Sequence, residues 1–248
     1  MPYSEERVTG VRPWSERTFS LTLTRPADFR FVTGEFVTIG LRHEGRLIAR
    51  AYSIVSTPDA DHLEFLSIHV PDGQLTSRLA KVRPGDSVWV NGKATGSLTL
   101  SHVLPGRTLF LLATGTGLAP FMSLIRDPAT YRAQQRVVLV HTVRAVAELG
   151  YRDELEARAG DRLAYVPTVT REAFPENTRC SDLFISGALC ERLDLPVADP
   201  ERDRVLICGN PAMNRQMSAY LRDSGWTMTD YRGVGNYSVE AAFVMHHG

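Results

Sequence analysis

The chain has only three cysteines, no net charge and no long hydrophobic run, and each shortage excludes a class of protein. Cys180, Cys190 and Cys208 are too few for a disulfide framework, and their spacing fits neither a zinc site nor an iron–sulfur cluster. The sequence therefore reads as a reduced, cytoplasmic protein, in which redox chemistry would need an organic cofactor. Twenty-eight basic residues balance twenty-eight acidic ones, so no global charge points to nucleic acid or an anionic membrane. No apolar run approaches the ~20 residues that span a bilayer. The first ten residues, MPYSEERVTG, lack the apolar stretch of a signal peptide. Internal repeats and low-complexity segments are also missing. His43, His62, His69, His102 and His141 are scattered, His246 and His247 close the chain, and none belongs to a metal motif. No hydrolase constellation is present either.

What remains is an ordinary globular composition, 43% hydrophobic and 23% charged over 248 residues, enough for one or two domains. The first hundred residues read as strands. Phe19, Leu21 and Leu23 alternate with hydroxyl residues from Thr18 to Thr24, and Val37, Ile39 and Leu41 repeat the alternation. Arg50–Val55, Leu63–Val70 and Val88–Val90 are further β-rich runs. Turn residues separate them at Thr33-Gly34, Glu44-Gly45, Pro58-Asp59, Pro71-Asp72-Gly73 and Pro84-Gly85-Asp86. This punctuation predicts an antiparallel barrel or sandwich. One short helix interrupts it, with Leu75, Leu79 and Val82 on one face.

Beyond Leu98 the period changes. Apolar strands at Thr108–Leu112, Arg136–Val143, Leu163–Val169 and Val205–Cys208 alternate with helical stretches at Ala119–Ile125, Ala145–Ala159, Leu183–Leu193 and Ala212–Leu221. Continuous apolar strands between helices predict a parallel sheet covered on both faces. The change of period falls within Thr99–Gly106.

Four motifs carry candidate chemistry. Ala113-Thr114-Gly115-Thr116-Gly117-Leu118-Ala119-Pro120 follows an apolar strand and opens a helix. Its glycines let backbone approach a phosphate, and Pro120 suits a first helical turn. A tight turn without a ligand gives the same pattern, and the third glycine of the usual fingerprint is absent. The next strands end in Arg144 and Thr170-Arg171, with Arg179 close behind, where a dinucleotide site for NAD often carries an acid. Guanidinium groups match a 2′-phosphate, although a surface arginine needs no ligand; Arg132 and Arg136 read as solvated charges. Arg50-Ala51-Tyr52-Ser53 sets a cation, a flat ring and a hydroxyl on one strand, the set that could hold a phosphorylated aromatic cofactor. Gly73-Gln74-Leu75-Thr76-Ser77 is a second turn into a helix, where Thr76 or Ser77 could equally be an N-cap. Finally, Cys208-Gly209-Asn210-Pro211 ends a strand and starts a helix. The small thiol and glycine would leave room for a flat ring, or Cys208 is a core residue.

In this order, these motifs and the Val239-Glu240 pair resemble the ferredoxin–NADP⁺ reductase family, and among its members the short bacterial ferredoxin/flavodoxin–NADP⁺ reductases. The resemblance spans nearly the whole chain. It implies a two-domain protein: an N-terminal antiparallel β-barrel for FAD, residues 1–99, and a C-terminal α/β parallel sheet for NADP, residues 100–248. By the same resemblance Arg50, Ala51, Tyr52 and Ser53 are the flavin strand, with Tyr52 against the ring, Arg50 on the pyrophosphate and Ser53 near N5. Ser67, Ile68 and His69 are the next flavin strand, and Gln74, Leu75 and Thr76 the pyrophosphate turn. Thr116 faces the flavin. Gly115, Gly117 and Gly209 line the NADP site, with Arg144, Thr170, Arg171 and Arg179 near the 2′-phosphate. Ser53, Cys208 and Glu240 are the implied catalytic set.

The resemblance also implies a function: a hydride from NADPH, and electrons passed singly to ferredoxin or flavodoxin by a cytoplasmic monomer. Plant-type members end in an aromatic residue over the flavin; here Ala242 stands in that place, followed by the extension Phe243–Gly248. A bacterial subclass shares the alanine and the extension. Ala242 and Phe243 are therefore expected beside the FAD, with the tail folded over it. Two other functions fit the same scaffold. One is a reductase component that feeds a separate oxygenase; the other is a flavin-binding regulatory module without turnover. Bleaching of the flavin by NADPH would separate the regulatory module from the reductases.

Overall fold

Residues 2–230 and 233–242 are described by the computed structural model. Phe243 and the tail behind it lie outside the described residues. Among the described residues, eleven strands form two sheets. The first sheet contains β1 (Tyr3–Pro13), β2 (Thr18–Thr24), β3 (Phe36–His43), β4 (Arg46–Ser53), β5 (His62–Ile68) and β6 (Ser87–Thr95), all antiparallel, in the order β4-β3-β6-β1-β2-β5. Its two ends meet where Ile54 bridges Phe65 and the Val55 N–H donates to the Glu64 carbonyl at 2.8 Å. That contact closes the sheet into a barrel and covers edges that would otherwise expose unpaired backbone. Phe19, Leu21, Leu23, Val37 and Ile39 fill the interior as their alternation predicts.

The second sheet contains β7 (Gly106–Thr114), β8 (Gln134–Val143), β9 (Leu163–Val169), β10 (Arg204–Gly209) and β11 (Tyr237–Ala241). All are parallel, in the order β11-β10-β7-β8-β9. Alternate residues of β7 serve two layers. Leu109, Leu111 and Ala113 pack with α2 (Ala119–Arg126) and with Tyr151 and Leu155, while Phe110 and Leu112 pack toward α5 (Cys180–Ile185) and α7 (Pro211–Asp223). Both faces are covered, which is why the strand is apolar throughout.

Several elements differ from the sequence reading. β1 was not expected: its inward side chains include Glu6, whose carboxylate accepts from Thr24 at 2.6 Å, so the strand shows no apolar alternation. β4 begins earlier than Arg50–Val55 and stops at Ser53; β5 stops at Ile68 rather than Val70. α1 covers only Thr76–Leu79, leaving Val82 beyond it. The stretch Ala145–Ala159 is a 3₁₀ turn at Val146–Glu148 and then α4 (Arg152–Arg158), parted by Tyr151 at φ 61°. The stretch Leu183–Leu193 is α5 and α6 (Ala188–Arg192), parted by Gly187 at φ 79°. A left-handed residue cannot continue a right-handed helix. A further helix, α3 (Pro128–Ala133), is capped by the Asp127 carboxylate, which accepts the Ala129 N–H. β11 was seen only as a motif.

The barrel and the sheet are joined through Arg126 at the end of α2. One Nη1 of this guanidinium reaches Glu64 of β5 at 2.6 Å, and Nε and Nη2 fork onto Glu154 of α4 at 2.9 and 2.7 Å. Glu64 also accepts from the Tyr151 hydroxyl at 2.8 Å, and Tyr151 packs on Trp14 beside the first hairpin, centroids 4.6 Å apart. Burial alone would lower the pKa of Arg126, but the two carboxylates override it and raise it. Nearby, the Ser123 hydroxyl donates to the Ser56 carbonyl at 3.1 Å and Thr33 donates to Asp127 at 2.5 Å. Arg126 is only 18% exposed. Arg126→Met should therefore destabilise the protein by about 3 kcal/mol, because two carboxylates lose their partner. Adding Glu64→Gln should recover part of that loss. Urea unfolding of both variants measures it.

Candidate functional site

The chain leaves β7 for β8 on one side and returns to β10 on the other. Ligands of open α/β sheets bind at such a reversal, outside the carboxyl ends of the strands. Here the reversal brings together the 3₁₀ turn Gly115–Leu118 after β7 and the Cys208-Gly209-Asn210 end of β10. The two loops touch through their glycines. A Cβ on Gly117 would collide with the Cys208 carbonyl, and one on Gly209 with the Thr114 hydroxyl and Met213. Gly115 differs: it has φ +55° and open space where a Cβ would stand. The sequence reading gives Gly115 and Gly117 one purpose, close approach of a phosphate, and Gly209 another, room for a flat ring. The structure separates them, with Gly117 and Gly209 packed against protein and Gly115 facing outward. The room for a flat ring expected at Cys208-Gly209 is not opened by Gly209. The Asn210 N–H donates to Thr114 Oγ1 at 2.8 Å, and the Asn210 side chain caps α7 by accepting the Met213 N–H.

Arg144 and Arg171 leave the carboxyl ends of β8 and β9 side by side, the Arg171 N–H donating to the Arg144 carbonyl at 2.9 Å. Thr170 stands between β9 and Arg171, its N–H and hydroxyl both on the Val143 carbonyl. Arg179 precedes α5, where the Cys180 N–H donates to Thr142 Oγ1 at 3.0 Å. All three arginines are exposed. No ion pair or side-chain hydrogen bond engages their guanidinium groups among the described residues. The nearby carboxylates of Glu148 and Glu172 are occupied by the backbone N–H groups of Arg144 and Val146.

On the barrel, Arg50 and Tyr52 share a face of β4, and Ser53 ends the strand opposite Phe36. Arg50 is exposed, and among the described residues its guanidinium hydrogen-bonds only the Ala49 carbonyl, at 2.8 Å; Ala51 is exposed beside it. The Tyr52 hydroxyl lies 3.2 Å from the buried Ser67 hydroxyl, and its ring meets Phe65 edge-on. Burial pushes the Tyr52 phenol pKa up, so it stays protonated. Ile68 ends β5 and pairs with Thr18, and the His69 N–H donates to the Arg17 carbonyl. The turn before α1 shows a feature the sequence did not. Gln74, Leu75 and Thr76 present three consecutive backbone N–H groups without a partner among the described residues. Leu75 anchors the turn, its side chain buried in the barrel core. Thr76 and Ser77 do not cap α1: their hydroxyls donate backward, to the Val70 and Gly73 carbonyls.

The two halves meet again at Glu240. Its Oε1 accepts the Ser97 N–H at 2.5 Å and the Ser97 hydroxyl at 3.1 Å. Ser97 follows β6 just beyond Thr95, which pairs with Phe36, the partner of Ser53. Across the sheet Glu240 pairs with Cys208. Burial raises the pKa of the Glu240 carboxyl against the Ser97 hydrogen bonds. Burial, and then the charge of Glu240, push the Cys208 thiol up, so it is no thiolate. Ala242 donates its N–H to the Gly209 carbonyl at 3.1 Å and packs on the α2 side of the sheet. Thr116 is buried in the glycine turn. Ser97 and Thr142 go unmarked in the sequence, since each acts on a partner far along the chain; Thr114 lies in the glycine motif, but its bond to Asn210 shows only in the fold.

At the opposite end of the parallel sheet, a cleft of about 840 Å³ is lined by Arg107, Arg132, Arg162, Arg202 and Arg204. Most of these cations are engaged. Arg107 pairs with Asp203 at 2.5 Å, Arg162 binds the Tyr131 and Gln134 carbonyls, and Arg204 binds carbonyls that include Leu104 and Pro105. Arg132 is exposed, as a solvated charge would be.

Residues 11–98 match the family model described as oxidoreductase FAD-binding domain, and residues 111–219 that described as oxidoreductase NAD-binding domain. The chain is 46% identical over 250 residues to a ferredoxin–NADP reductase of Pseudomonas aeruginosa, covering 96% of this chain and 97% of that one. It is 42% identical to a flavodoxin/ferredoxin–NADP reductase of Rhodobacter capsulatus, with 96% and 93% covered. A crystal structure of a ferredoxin NADP⁺ reductase from Neisseria gonorrhoeae with bound FAD and NADP matches at a TM-score of 0.93 and 31% identity. The match covers 98% of this chain and 100% of that one.

Two measurements test the geometry. Gly115→Ala should cost only about 1–2 kcal/mol, the penalty of a left-handed alanine, whereas Gly117→Ala should cost at least about 3 kcal/mol because backbone occupies the space. Denaturant unfolding gives both, and equal losses would contradict the assigned packing. Glu240 sets a pH dependence. A carboxyl whose pKa is raised on folding favours the fold while protonated, and that contribution is lost as pH rises through the folded value. Glu240→Gln should therefore raise Tm relative to the parent at pH 8, with the difference fading toward about pH 4, the ordinary carboxylate range.

Proposed function

The chain belongs to the ferredoxin–NADP reductase family, and on that premise we propose that it carries electrons between NADPH and a ferredoxin or flavodoxin through a bound FAD. The observation that carries the reading is the placing of unpartnered donors on both sides of the Glu240–Ser97 seam. Among the described residues, the N–H groups of Gln74–Thr76 have no partner and the Arg50 guanidinium has only the Ala49 carbonyl on the barrel, and the guanidinium groups of Arg144, Arg171 and Arg179 have none on the sheet. A pyrophosphate needs several N–H donors and a cation, and a 2′-phosphate needs guanidinium groups free of acids. The residues present fit both groups. We assign residues 1–99 to the FAD unit and 100–248 to the NADP unit, and we place the enzyme in the cytoplasm. All three cysteines are free, in keeping with a reducing compartment.

FAD, when bound, supplies the conversion between two-electron exchange with NADPH and one-electron exchange with the carrier. The chain's own residues position the reactants. Arg50 and the Gln74–Thr76 amides hold the pyrophosphate of the flavin nucleotide, Tyr52 lies against the ring, and Ser67, Ile68 and His69 line its edge. Arg144, Thr170, Arg171 and Arg179 hold the 2′-phosphate end of NADPH, with Gly115, Gly117 and Gly209 at the reversal. Thr116 and Ala242 bound the space between the two. Glu240 keeps Oε1 on Ser97, and the Leu98 backbone gives its carboxyl a further hydrogen bond. With its pKa raised by burial, that carboxyl is suited to hold a proton. Ser53 offers a hydroxyl on the same rim. Cys208 stays a neutral thiol, a small apolar neighbour for the nicotinamide.

The purified protein should be yellow, should release FAD rather than FMN on acid treatment, and should be bleached by NADPH and reoxidised by ferredoxin or flavodoxin. A protein that takes up no flavin, or a flavin that NADPH does not reduce, would overturn the reading. Arg144→Ala should raise KM for NADPH about tenfold, a charge-assisted hydrogen bond reduced by exposure, and leave KM for NADH nearly unchanged. Equal losses with both nucleotides would show that Arg144 does not read the phosphate.

A further inference from the structure

His141 sits third from the carboxyl end of β8 and is 1% exposed. It shares a face with Val137 and Leu139, in the apolar layer that packs on α2. A polar ring in such a layer carries a desolvation cost that leucine would avoid. Its Nε2 lies 3.0 Å from the Gly115 carbonyl oxygen. A carbonyl only accepts, so Nε2 carries the hydrogen and Nδ1 is a bare acceptor, buried and without a partner. Burial holds the imidazole pKa down to about 4, so the ring is neutral at working pH and acts as a hydrogen-bond donor, not a charge.

What this donor fixes is the direction of one peptide. In a trans peptide the carbonyl and the following N–H point opposite ways. Drawing the Gly115 oxygen down onto β8 therefore turns the Thr116 N–H away from the sheet. Gly115 can make that turn because it adopts φ +55°. The Thr116 N–H has no partner among the described residues. It stands in the turn that leads into α2, at the reversal between β7 and β10.

We infer that His141 is a positioning residue for NADP⁺ and NADPH: its Nε2–H locks the Gly115–Thr116 peptide so that the Thr116 N–H is presented to the nucleotide. The inference rests on the nucleotide reading above and adds a residue that touches neither substrate nor cofactor. It separates bulk from donor. A side chain of similar size without an N–H fills the layer and leaves the Gly115 carbonyl without its side-chain donor, held by the 3₁₀ turn alone, whereas glutamine keeps an N–H at comparable reach.

The test uses the FAD-loaded enzyme and its His141→Phe and His141→Gln variants. NADP⁺ affinity is read from the flavin difference spectrum, together with KM and kcat for NADPH, FAD content and Tm. His141→Phe should weaken NADP⁺ binding and raise KM about tenfold, the loss of one oriented hydrogen bond and the peptide it fixes. FAD content should stay whole and kcat should be little changed. His141→Gln should restore binding to near the parent value. If the phenylalanine chain does not fold with its FAD, His141→Leu replaces it in the same comparison. Unchanged NADP⁺ affinity in the donorless variant, while Arg144→Ala weakens it, would overturn this inference and leave the nucleotide reading standing. Equal weakening in the phenylalanine and glutamine variants would also overturn it, since shape and not the N–H would then matter. A parent enzyme that binds no NADP⁺ would overturn both.

Discussion

Arg126 holds the barrel and the sheet in one relation, and the site depends on that relation. The donors suited to one nucleotide stand on β4 and before α1, and those suited to the other follow β8, β9 and α5. Two reactants held on separate units must still meet at about 3–3.5 Å, and misplacement by 1 Å is costly in rate. A contact between apolar faces would bind the halves without fixing their angle. The Arg126 fork is directional: Glu154 takes Nε and Nη2 in two parallel bonds, while Nη1 reaches Glu64 on the barrel. Desolvating three charges is expensive, and an apolar replacement of the whole cluster could be as stable. The return is orientation, reinforced by the Tyr151 hydroxyl on Glu64 and by Ser97 on Glu240 at the other end of the interface.

That constraint explains the economy of the loops between the anchors. Gly117 and Gly209 allow the turn after β7 to rest directly on the end of β10. Side chains at either position would part the loops and shift Gly115 with them. Cys208 lies in the same contact, paired with Glu240, which Ser97 ties to the barrel. The reversal of the sheet, the seam and the barrel rim thus form one continuous set of contacts. A displacement at one member is passed to the others, because packed interiors do not deform gradually.

Much of the fold was legible because its strands have one period and one environment. β2 and β9 match the reading to the residue: β2 alternates strictly, and β9 is an apolar run between turn residues. β1 was not, since Glu6 faces inward and is satisfied by Thr24, a pairing that apolar periodicity does not register. The breaks at Tyr151 and Gly187 were hidden for another reason. Tyrosine is rarely left-handed, so nothing in its type announced φ 61°, and glycine is tolerated inside a helix often enough to be read through. In the site, the glycine loop, the Arg50–Ser53 strand and the three arginines stand out by residue type. Their supports do not. Ser97 and Glu240 are 143 positions apart and His141 and Gly115 are 26 apart, so only the folded chain shows that they meet.

Residue type also proves a poor guide to which cations are available. The parallel sheet carries arginines at both ends, and the amino end has the larger cluster. There Arg204 lies among the carbonyls of Leu104, Pro105 and Pro200, and Arg107 is held by a fully buried Asp203. Those guanidinium groups stabilise the loops around them, and an incoming anion would have to compete with bonds already made. At the carboxyl end the local acids are turned to backbone: Glu148 accepts from the Arg144 N–H and Glu172 from the Val146 N–H. Neither carboxylate is hydrogen-bonded to the Arg144 guanidinium among the described residues. With zero net charge over the chain, the field that an anionic nucleotide meets is set by this local pairing. The arginines open to an incoming anion are the exposed ones whose guanidinium groups have no hydrogen-bond partner among the described residues.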